Sequence, residues 1–288
     1  MMKIEVKDLT RKYGNKYALN NISFTLEEPK IYGLLGRNGA GKTTFMEILA
    51  GEIFASSGDI FINGEKPFDN RRLTESVCLV KESGNFKRDL KVKSMLNVFS
   101  MFYPNWDWEL AKELLTVYQL DWNAKIKSMS KGMESALGII VGLASKAPIT
   151  IFDEPYIGLD AAARKRFYDI LLEEYKKEKR TIIFSTHLID EVSLLFEEIL
   201  ILQNGELLLQ QEADELRHNT CAVSGPAVDV EAFIANKKVI TKKQLAGMMT
   251  AYIFSDTESA KKYGLSVEGV PVQELMIYLT DGKKENAS

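Results

Sequence analysis

The sequence predicts an α/β fold built on a mainly parallel sheet, and a few features of its 288 residues carry this prediction. Short apolar segments at 31–35, 149–152 and 181–184 alternate with longer segments of helical periodicity. A glycine-rich turn follows the first apolar segment, and two adjacent carboxylates follow the second. Strands that alternate with helices form parallel sheets with right-handed crossovers, so these segments are expected to be buried strands of one sheet.

The composition is that of an ordinary globular chain, with 45% hydrophobic and 27% charged residues. The net charge of −3 argues against bulk electrostatic binding to nucleic acid, so no nucleic-acid partner is expected. Two cysteines and two histidines exclude a disulfide framework and a histidine-rich metal site. No apolar run approaches the roughly 20 residues that a membrane-spanning helix needs. We therefore expect a soluble protein of the cytoplasm.

Changes of pattern along the chain predict its domain organisation. The first thirty residues alternate apolar and polar side chains around a turn at Gly14-Asn15, which predicts an antiparallel β subdomain. Helical periods dominate between about residues 84 and 146, with Asp107 in an N-cap position, which predicts a helical insert. A hairpin is predicted at 199–209, and the motifs then stop. We expect one large domain over 1–214 and a small α+β appendage over 215–288.

The glycine-rich turn matches the phosphate-loop pattern G-x-x-x-x-G-K-[ST] between a predicted strand and a predicted helix. Such a loop points backbone N–H groups at a phosphate, and the helix adds its positive N-terminal end. We expect Lys42 to pair with the β- and γ-phosphates of a nucleotide and Thr43 to offer its hydroxyl to Mg²⁺. A plain glycine-rich turn is the alternative. The expected nucleotide contacts are Gly36, Arg37, Asn38, Gly39, Ala40, Gly41, Lys42, Thr43 and Thr44.

The adjacent carboxylates Asp153 and Glu154 end a predicted buried strand, at the edge where α/β sheets bind ligands. Asp153 is expected to hold Mg²⁺ directly or through a bound water. Glu154 is the better candidate for polarising an attacking water. A solvated turn with helix-capping acids is the alternative.

With both motifs present, residues 2–210 resemble the ATP-binding subunit of ABC transporters, a class of P-loop NTPase. Ser130-Lys131-Gly132-Met133 is similar to the signature of that family, Leu-Ser-Gly-Gly-Gln, with Met129 in place of the leucine. In the family the signature faces the ATP of a second subunit. The resemblance therefore implies that Ser130 and Gly132 contact nucleotide across a homo- or heterodimer. A helix N-cap at Ser130 and nothing more is the alternative.

Three further positions have roles only through this resemblance. His187, at the end of a predicted strand, is similar to the switch histidine that contacts the γ-phosphate and the attacking water. Asp160 resembles an aspartate that couples the two sites of the dimer, and it also stands in an N-cap position. Tyr13 resembles the aromatic residue that stacks on adenine, with a core position in the N-terminal hairpin as the alternative.

Glu82 departs from the family pattern, which places a glutamine at the end of the strand after the phosphate loop. A carboxylate at this position can still bind Mg²⁺, with stronger neutralisation of the metal's charge. It would also repel phosphates when the metal is absent. We therefore expect Glu82 to make ATP binding more strongly dependent on Mg²⁺.

The resemblance assigns the helical insert to docking of a transmembrane permease subunit, which would place the chain at the inner face of the cell membrane. Aromatic residues of the insert, expected to be exposed, are candidates for this surface or for the core of the insert. The segments 82–86 and 103–107 are similar to an exporter subgroup of Gram-positive bacteria. The candidate aromatics are Phe86, Tyr103, Trp106 and Trp108.

These observations predict an ATP-hydrolysing subunit that dimerises around two Mg-ATP and drives a separate membrane protein, in an exporter. A nucleotide-gated regulatory ABC protein with little turnover stays open, because the signature and Glu82 both depart from the family. A soluble ABC ATPase acting on DNA or ribosomes would be expected to carry a repeat or long heptads, and neither occurs. A small-molecule kinase would leave the signature and Asp160 unexplained.

Overall fold

The computed structural model of the chain describes residues 2–255, 260 and 263–281, and arranges their strands in three β-sheets. In chain order the strands are β1 (Ile4–Tyr13), β2 (Lys16–Leu26), β3 (Ile31–Leu35), β4 (Ser57–Ile62), β5 (Val77–Val80), β6 (Ile149–Asp153), β7 (Thr181–Ser185), β8 (Glu198–Gln203), β9 (Glu206–Glu212), β10 (Thr220–Pro226), β11 (Lys238–Leu245), β12 (Met248–Phe254) and β13 (Ser266–Gly269).

The helices connect and cover these sheets. They are α1 (Lys42–Leu49), α2 (Arg71–Thr74), α3 (Val92–Phe102), α4 (Trp108–Val117), α5 (Lys131–Ala144), α6 (Ala161–Lys177), α7 (Ile189–Val192), α8 (Ala213–His218), α9 (Ala227–Ile234) and α10 (Val272–Asp281), with 3₁₀ turns at Ile126–Ser128 and Ser193–Leu195.

The six-stranded sheet has the order β5-β6-β7-β3-β8-β9, and all its neighbours are parallel except β8 and β9. Every residue of β3, β6 and β7 is buried, because helices cover both faces of a parallel sheet. This arrangement confirms the predicted α/β fold and the predicted hairpin of β8 and β9. Asp153 lies opposite Ser185, which in turn lies opposite Leu34 on β3. The segments that follow these three strands therefore leave the sheet at the same edge.

The three-stranded sheet is antiparallel, with the order β2-β1-β4, as the N-terminal alternation predicts. Its apolar face packs on the same core cluster as α1, where Phe24 and Phe45 contact each other with ring centroids 5.3 Å apart. This packing fixes the first hairpin beside the phosphate loop.

The helical insert packs α3, α4 and α5 on the other main core cluster, which includes Leu96, Leu114 and Leu137. Asp107 caps α4 as predicted, since its carboxylate accepts a hydrogen bond of 2.9 Å from the Leu110 N–H.

The C-terminal sheet is antiparallel, with the order β11-β12-β10-β13, and shares a small apolar cluster of its own with α9. The last helix, α10, returns to the body of the protein, because Val272 and Leu275 belong to the main core cluster of the insert and the parallel sheet. The C-terminal region is therefore fixed to the body of the protein through its last helix.

Candidate functional site

The phosphate loop begins at Gly36 and has its last glycine at Gly41, and both positions have a backbone conformation that only glycine tolerates. Gly36 and Gly41 have φ angles of 151° and 106°. A Cβ at Gly36 would lie 2.4 Å from the Leu202 carbonyl oxygen, and one at Gly41 would lie 2.3 Å from the Ala18 carbonyl oxygen. The loop is thus wedged between β8 and β2 with no room for side chains, which lets its backbone curl ahead of α1.

The loop and the ends of the parallel strands enclose a cavity of about 390 Å³. Eleven of the seventeen predicted site residues line it, together with Lys16 and Ala18. Those eleven are Tyr13, Asn38, Gly39, Ala40, Gly41, Lys42, Thr43, Thr44, Glu82, Asp153 and Glu154. Gly36 and Arg37 belong to the same loop without lining the cavity.

Lys42 is almost fully buried at the floor of this cavity, with 9% of its surface exposed. Its ammonium donates a hydrogen bond of 2.7 Å to the Gly36 carbonyl oxygen and a longer one, 3.4 Å, to that of Arg37. Burial lowers the pKa of Lys42, while the charges of Glu154 and Asp153 oppose that shift. The carbonyl oxygens that accept from this buried ammonium are neutral, so a phosphate would add the opposite charge that they do not supply.

Thr43 and Asp153 meet across the cavity floor, where the Thr43 hydroxyl donates to Asp153 Oδ2 at 2.8 Å. Asp153 is buried, and burial raises the pKa of its carboxyl group. Glu82 reaches the same cavity from the end of β5. Hydroxyl and carboxylate oxygens are the ligands that Mg²⁺ prefers, so the donor set fits this ion together with phosphate oxygens and waters.

Glu154 and His187 lie beside each other at the ends of β6 and β7. His187 Nδ1 lies 2.7 Å from Glu154 Oε2, and the histidine ring is more exposed than the carboxylate. Glu154 has a left-handed backbone with a φ of 50°, which its N–H supports by donating to the Ser185 carbonyl oxygen at 3.1 Å. Glu154 lines the cavity, whereas His187 does not line it and is joined to it only through its contact with Glu154.

The Tyr156 hydroxyl links Glu154 to His187, and the Thr186 hydroxyl contacts that of Tyr156. The Tyr156 hydroxyl makes short hydrogen bonds with Glu154 Oε2 and, at 2.5 Å, with Thr186 Oγ1. It also accepts a hydrogen bond of 3.1 Å from the His187 N–H. Burial and the hydrogen bond to Glu154 raise the pKa of Tyr156, so its hydroxyl keeps its proton through the neutral range.

Ser130, Gly132 and Asp160 do not line the cavity, and lie at the starts of α5 and α6. Ser130 caps α5 by accepting from the Met133 N–H at 3.2 Å, and Asp160 caps α6 by accepting from the Ala163 N–H at 2.8 Å. The N-cap alternative for Ser130 is thus correct as a structural description, and leaves its part in a dimer as a prediction.

The two helix starts touch through glycine backbones. A Cβ at Gly132 would lie 2.3 Å from the carbonyl oxygen of Gly158. Next to this contact the Lys131 ammonium, where the family has glycine, donates to the Glu82 carbonyl oxygen. The signature segment is therefore packed against both the turn before α6 and the segment after β5.

Comparison with known proteins identifies the family. Residues 19–157 match the family model described as ABC transporter. The lantibiotic transport ATP-binding protein SrtF of Streptococcus pyogenes is 32% identical over 213 residues, which are 73% of this chain and 91% of that protein. The chain belongs to the ATP-binding proteins of ABC transporters.

Other ABC proteins extend this likeness. The ABC transporter ATP-binding protein YtrB of Bacillus subtilis is 25% identical over 260 residues, covering 90% of this chain and 89% of YtrB. An uncharacterized ABC transporter ATP-binding protein of Methanocaldococcus jannaschii is 37% identical over 71% of this chain and 75% of its own. A solved ATP binding subunit of an ABC transporter superimposes with a TM-score of 0.67 at 26% identity, over 74% of this chain and 91% of that one. The chain is therefore an ATP-binding ATPase subunit of a transporter.

Tyr13 lies at the rim of the ATP cavity, and 47% of its surface is exposed, so the alternative of a core position is wrong. The Arg11 guanidinium lies over its ring, 4.6 Å from the centroid. A ring that is exposed and held by a neighbouring cation is suited to stacking on a base.

The helical insert of the ABC protein borders a groove of about 270 Å³ between α3, α5 and the end of β5, which is lined mainly by apolar residues and also by the ion pair of Lys81 with Glu52. The expectation of four exposed aromatics is wrong for Tyr103, which is buried, and the other three are half-buried. Phe102, which lines the groove and is 43% exposed, presents the accessible aromatic surface instead. Tyr103 is the C-cap residue of α3, where the helical period no longer predicts which side chain faces the core.

Sequence reasoning did not find Tyr156, whose hydroxyl contacts Glu154, or Thr186, whose hydroxyl contacts Tyr156. A weak signal was present, since each follows closely on a strand that ends at the site. Their partnership depends on the parallel pairing of β6 with β7, which brings residues thirty positions apart into contact.

Proposed function

We propose that this ABC ATPase dimerises around two Mg-ATP and drives a separate transmembrane subunit, in an exporter. The observation that carries the proposal is the separation of two half-sites within one chain. The phosphate loop, Asp153 and Glu154 line one cavity, whereas Ser130 and Gly132 lie outside it. A helix start with a hydroxyl and free N–H groups is suited to a γ-phosphate, so a second subunit would complete each site.

Within each site the chain's own groups divide the work. The loop backbone and Lys42 would hold the triphosphate, and Tyr13 would stack on the adenine. Thr43, Asp153 and Glu82 would hold Mg²⁺, which supplies charge neutralisation of the phosphates when bound. Glu154 would orient the attacking water and accept its proton, with His187 contacting the γ-phosphate. Asp160 would couple the two sites across the dimer.

The membrane partner would dock in the mainly apolar groove beside Phe102. None of the helices among the described residues combines the length and the apolar character of a membrane-spanning segment. We infer a peripheral position at the inner face of the cell membrane, held by the permease. We also infer that residues 215–288 form an accessory domain, attached to the body of the protein through α10.

Export as the direction of transport rests on two short segments of the sequence, because the name of SrtF gives no direction. SrtF is named for lantibiotic transport, and the segments 82–86 and 103–107 are similar to exporters of Gram-positive bacteria.

Membrane docking is tested by replacing Phe102 with aspartate in the tagged full-length chain and following its sedimentation with native membranes. We expect Phe102→Asp to move the chain to the soluble fraction while ATP binding is unchanged, because a charge would be buried in an apolar interface. Phe68→Asp is the matched control, since Phe68 is 48% exposed and lines a different apolar cavity. Detachment of both variants, or of neither, would contradict the docking site.

A further inference from the structure

Tyr156 is a buried tyrosine whose ring and hydroxyl do different things. Its surface is 3% exposed. The ring lies nearly parallel to that of Phe184, at 16° with centroids 6.4 Å apart, and edge-on to the His187 ring at 5.7 Å. The hydroxyl contacts Glu154, Thr186 and the backbone N–H of His187. Packing therefore fixes the ring, and the ring carries the hydroxyl to the junction of β6 and β7.

The hydrogen-bond partners fix the direction of the protons. An ionised carboxylate only accepts, so the single Tyr156 proton goes to Glu154 Oε2, and the Thr186 hydroxyl then donates to the Tyr156 oxygen while it accepts from the Leu188 N–H at 2.9 Å. The Tyr156 oxygen also accepts from the His187 N–H, which leaves its proton for the Glu154 carboxylate. A chain of donors thus runs from Thr186 through Tyr156 to Glu154 Oε2.

The same carboxylate oxygen receives the His187 ring. His187 Nδ1 lies 2.7 Å from Glu154 Oε2, so a proton on Nδ1 would be donated to this oxygen. Glu154 Oε2 is then held by two donors, and the Tyr156 hydroxyl also binds the backbone of the second. One hydroxyl therefore sets the position of both groups to which the hydrolysis step is assigned.

We propose that Tyr156 is a positioning residue for ATP hydrolysis, whose hydroxyl holds the Glu154 carboxylate and the His187 segment in the orientation used for water attack. This inference rests on the proposed roles of Glu154 and His187. Tyr156 does not line the ATP cavity, so it acts through these groups and not on the nucleotide. The left-handed backbone of Glu154 makes such support necessary, because a strained turn fixes a side chain only when its surroundings do.

The test is the steady-state ATPase rate of the full-length chain carrying Tyr156→Phe, which removes the hydroxyl and keeps the ring. We expect kcat to fall about tenfold with an unchanged KM for Mg-ATP, because a hydrogen bond to a charged group is lost and the nucleotide contacts stay. Tyr168→Phe is the matched control. Tyr168 is buried, packs on the same Phe184 and has a hydroxyl without a hydrogen-bond partner, so its rate should equal that of the wild type.

A double-mutant cycle separates positioning from general damage. Thr186→Val removes the group that donates to Tyr156, and should lower kcat in the same sense by a smaller factor. Since both residues act through one hydroxyl, the double variant should be no slower than Tyr156→Phe alone. The cycle also covers the case in which Tyr156→Phe fails to fold, because Thr186→Val alone must then lower kcat without changing KM.

Several results would overturn the inference. These are an unchanged or raised kcat in Tyr156→Phe, a loss that appears in KM, or losses in the double variant that simply multiply. Failure of the proposed function looks different, because Glu154→Gln would then keep wild-type turnover. A normal loss in Glu154→Gln beside an unaffected Tyr156→Phe rejects the role of Tyr156 alone.

Discussion

At the residue scale, the ATP cavity contains two buried groups of opposite charge, Lys42 and Asp153. Burial lowers the pKa of the lysine and raises that of the aspartate, so both shifts oppose the charged forms. A phosphate beside Lys42 and a divalent cation beside Asp153 would supply the opposite charges that these two groups lack. Burial of these two groups would therefore favour ligand binding and lower the stability of the protein without a ligand.

Glu82 gives the first prediction at this scale. Glu82→Gln should reduce the ratio of ATP affinities with and without Mg²⁺ about fivefold, because one carboxylate near the phosphates is worth roughly 1 kcal/mol at an exposed site. Titration calorimetry with ATP, in magnesium and in chelator, measures the ratio. Glu27→Gln, which removes the same charge at an exposed position outside the cavity, is the control. An unchanged ratio in Glu82→Gln would refute the expected metal dependence.

At the scale of elements, three helix starts carry the polar residues that the sequence singled out. Asp107, Ser130 and Asp160 cap α4, α5 and α6 through side-chain oxygens. Capping explains why these residues suit their positions, but the exposed starts of α5 and α6 are also the surfaces assigned to a second subunit. In the proposed dimer, helix capping and the contact with the second subunit would use the same side chains.

Ser130 and Asp107 separate these two effects. Ser130→Ala and Asp107→Ala should each lower the free energy of unfolding by about 1 kcal/mol, the usual cost of a lost N-cap. Only Ser130→Ala should also weaken ATP-dependent dimerisation. Urea unfolding and analytical ultracentrifugation measure the two quantities. Equal effects of both variants on dimerisation would leave Ser130 with a capping role alone.

Sequence patterns predicted the elements well where one local signal decides the structure. The phosphate loop lies between strand and helix, and the capping residues begin helices, because both features are set within a few residues. The patterns failed where packing decides, as for Tyr103, which follows the last residue of α3 and is buried in the core. They did not predict the role of Tyr156, because the pairing of β6 with β7 brings its hydrogen-bond partners Thr186 and His187 close to it.

At the scale of the whole molecule, the C-terminal sheet has its own small core, while α10 joins the main one. Leu275 is 1% exposed within that main core, whereas Ile277 on the same helix is 40% exposed. The C-terminal region is thus built to move with the ATP-binding body, which suits either a dimer contact or a regulatory site.

Leu275→Ala should therefore destabilise the entire chain. We expect a loss of about 2–5 kcal/mol from a cavity in the core, against less than about 0.5 kcal/mol for Ile277→Ala at the surface. Urea unfolding followed by tryptophan fluorescence reports on the main body, since Trp106, Trp108 and Trp122 all lie in the insert. An unaffected fluorescence transition in Leu275→Ala would mean that the C-terminal region unfolds separately.

The central proposal is that the signature segment of one subunit completes the ATP site formed by the phosphate loop of another. Glu154→Gln should bind Mg-ATP without hydrolysing it, so the dimer it forms should accumulate. Sedimentation equilibrium of this variant, with saturating ATP and Mg²⁺, measures this directly. We expect the Glu154→Gln variant to form a dimer that holds two ATP and returns to monomer when the metal is chelated. A variant that binds ATP and stays monomeric, alone and with its membrane partner, would contradict this proposal.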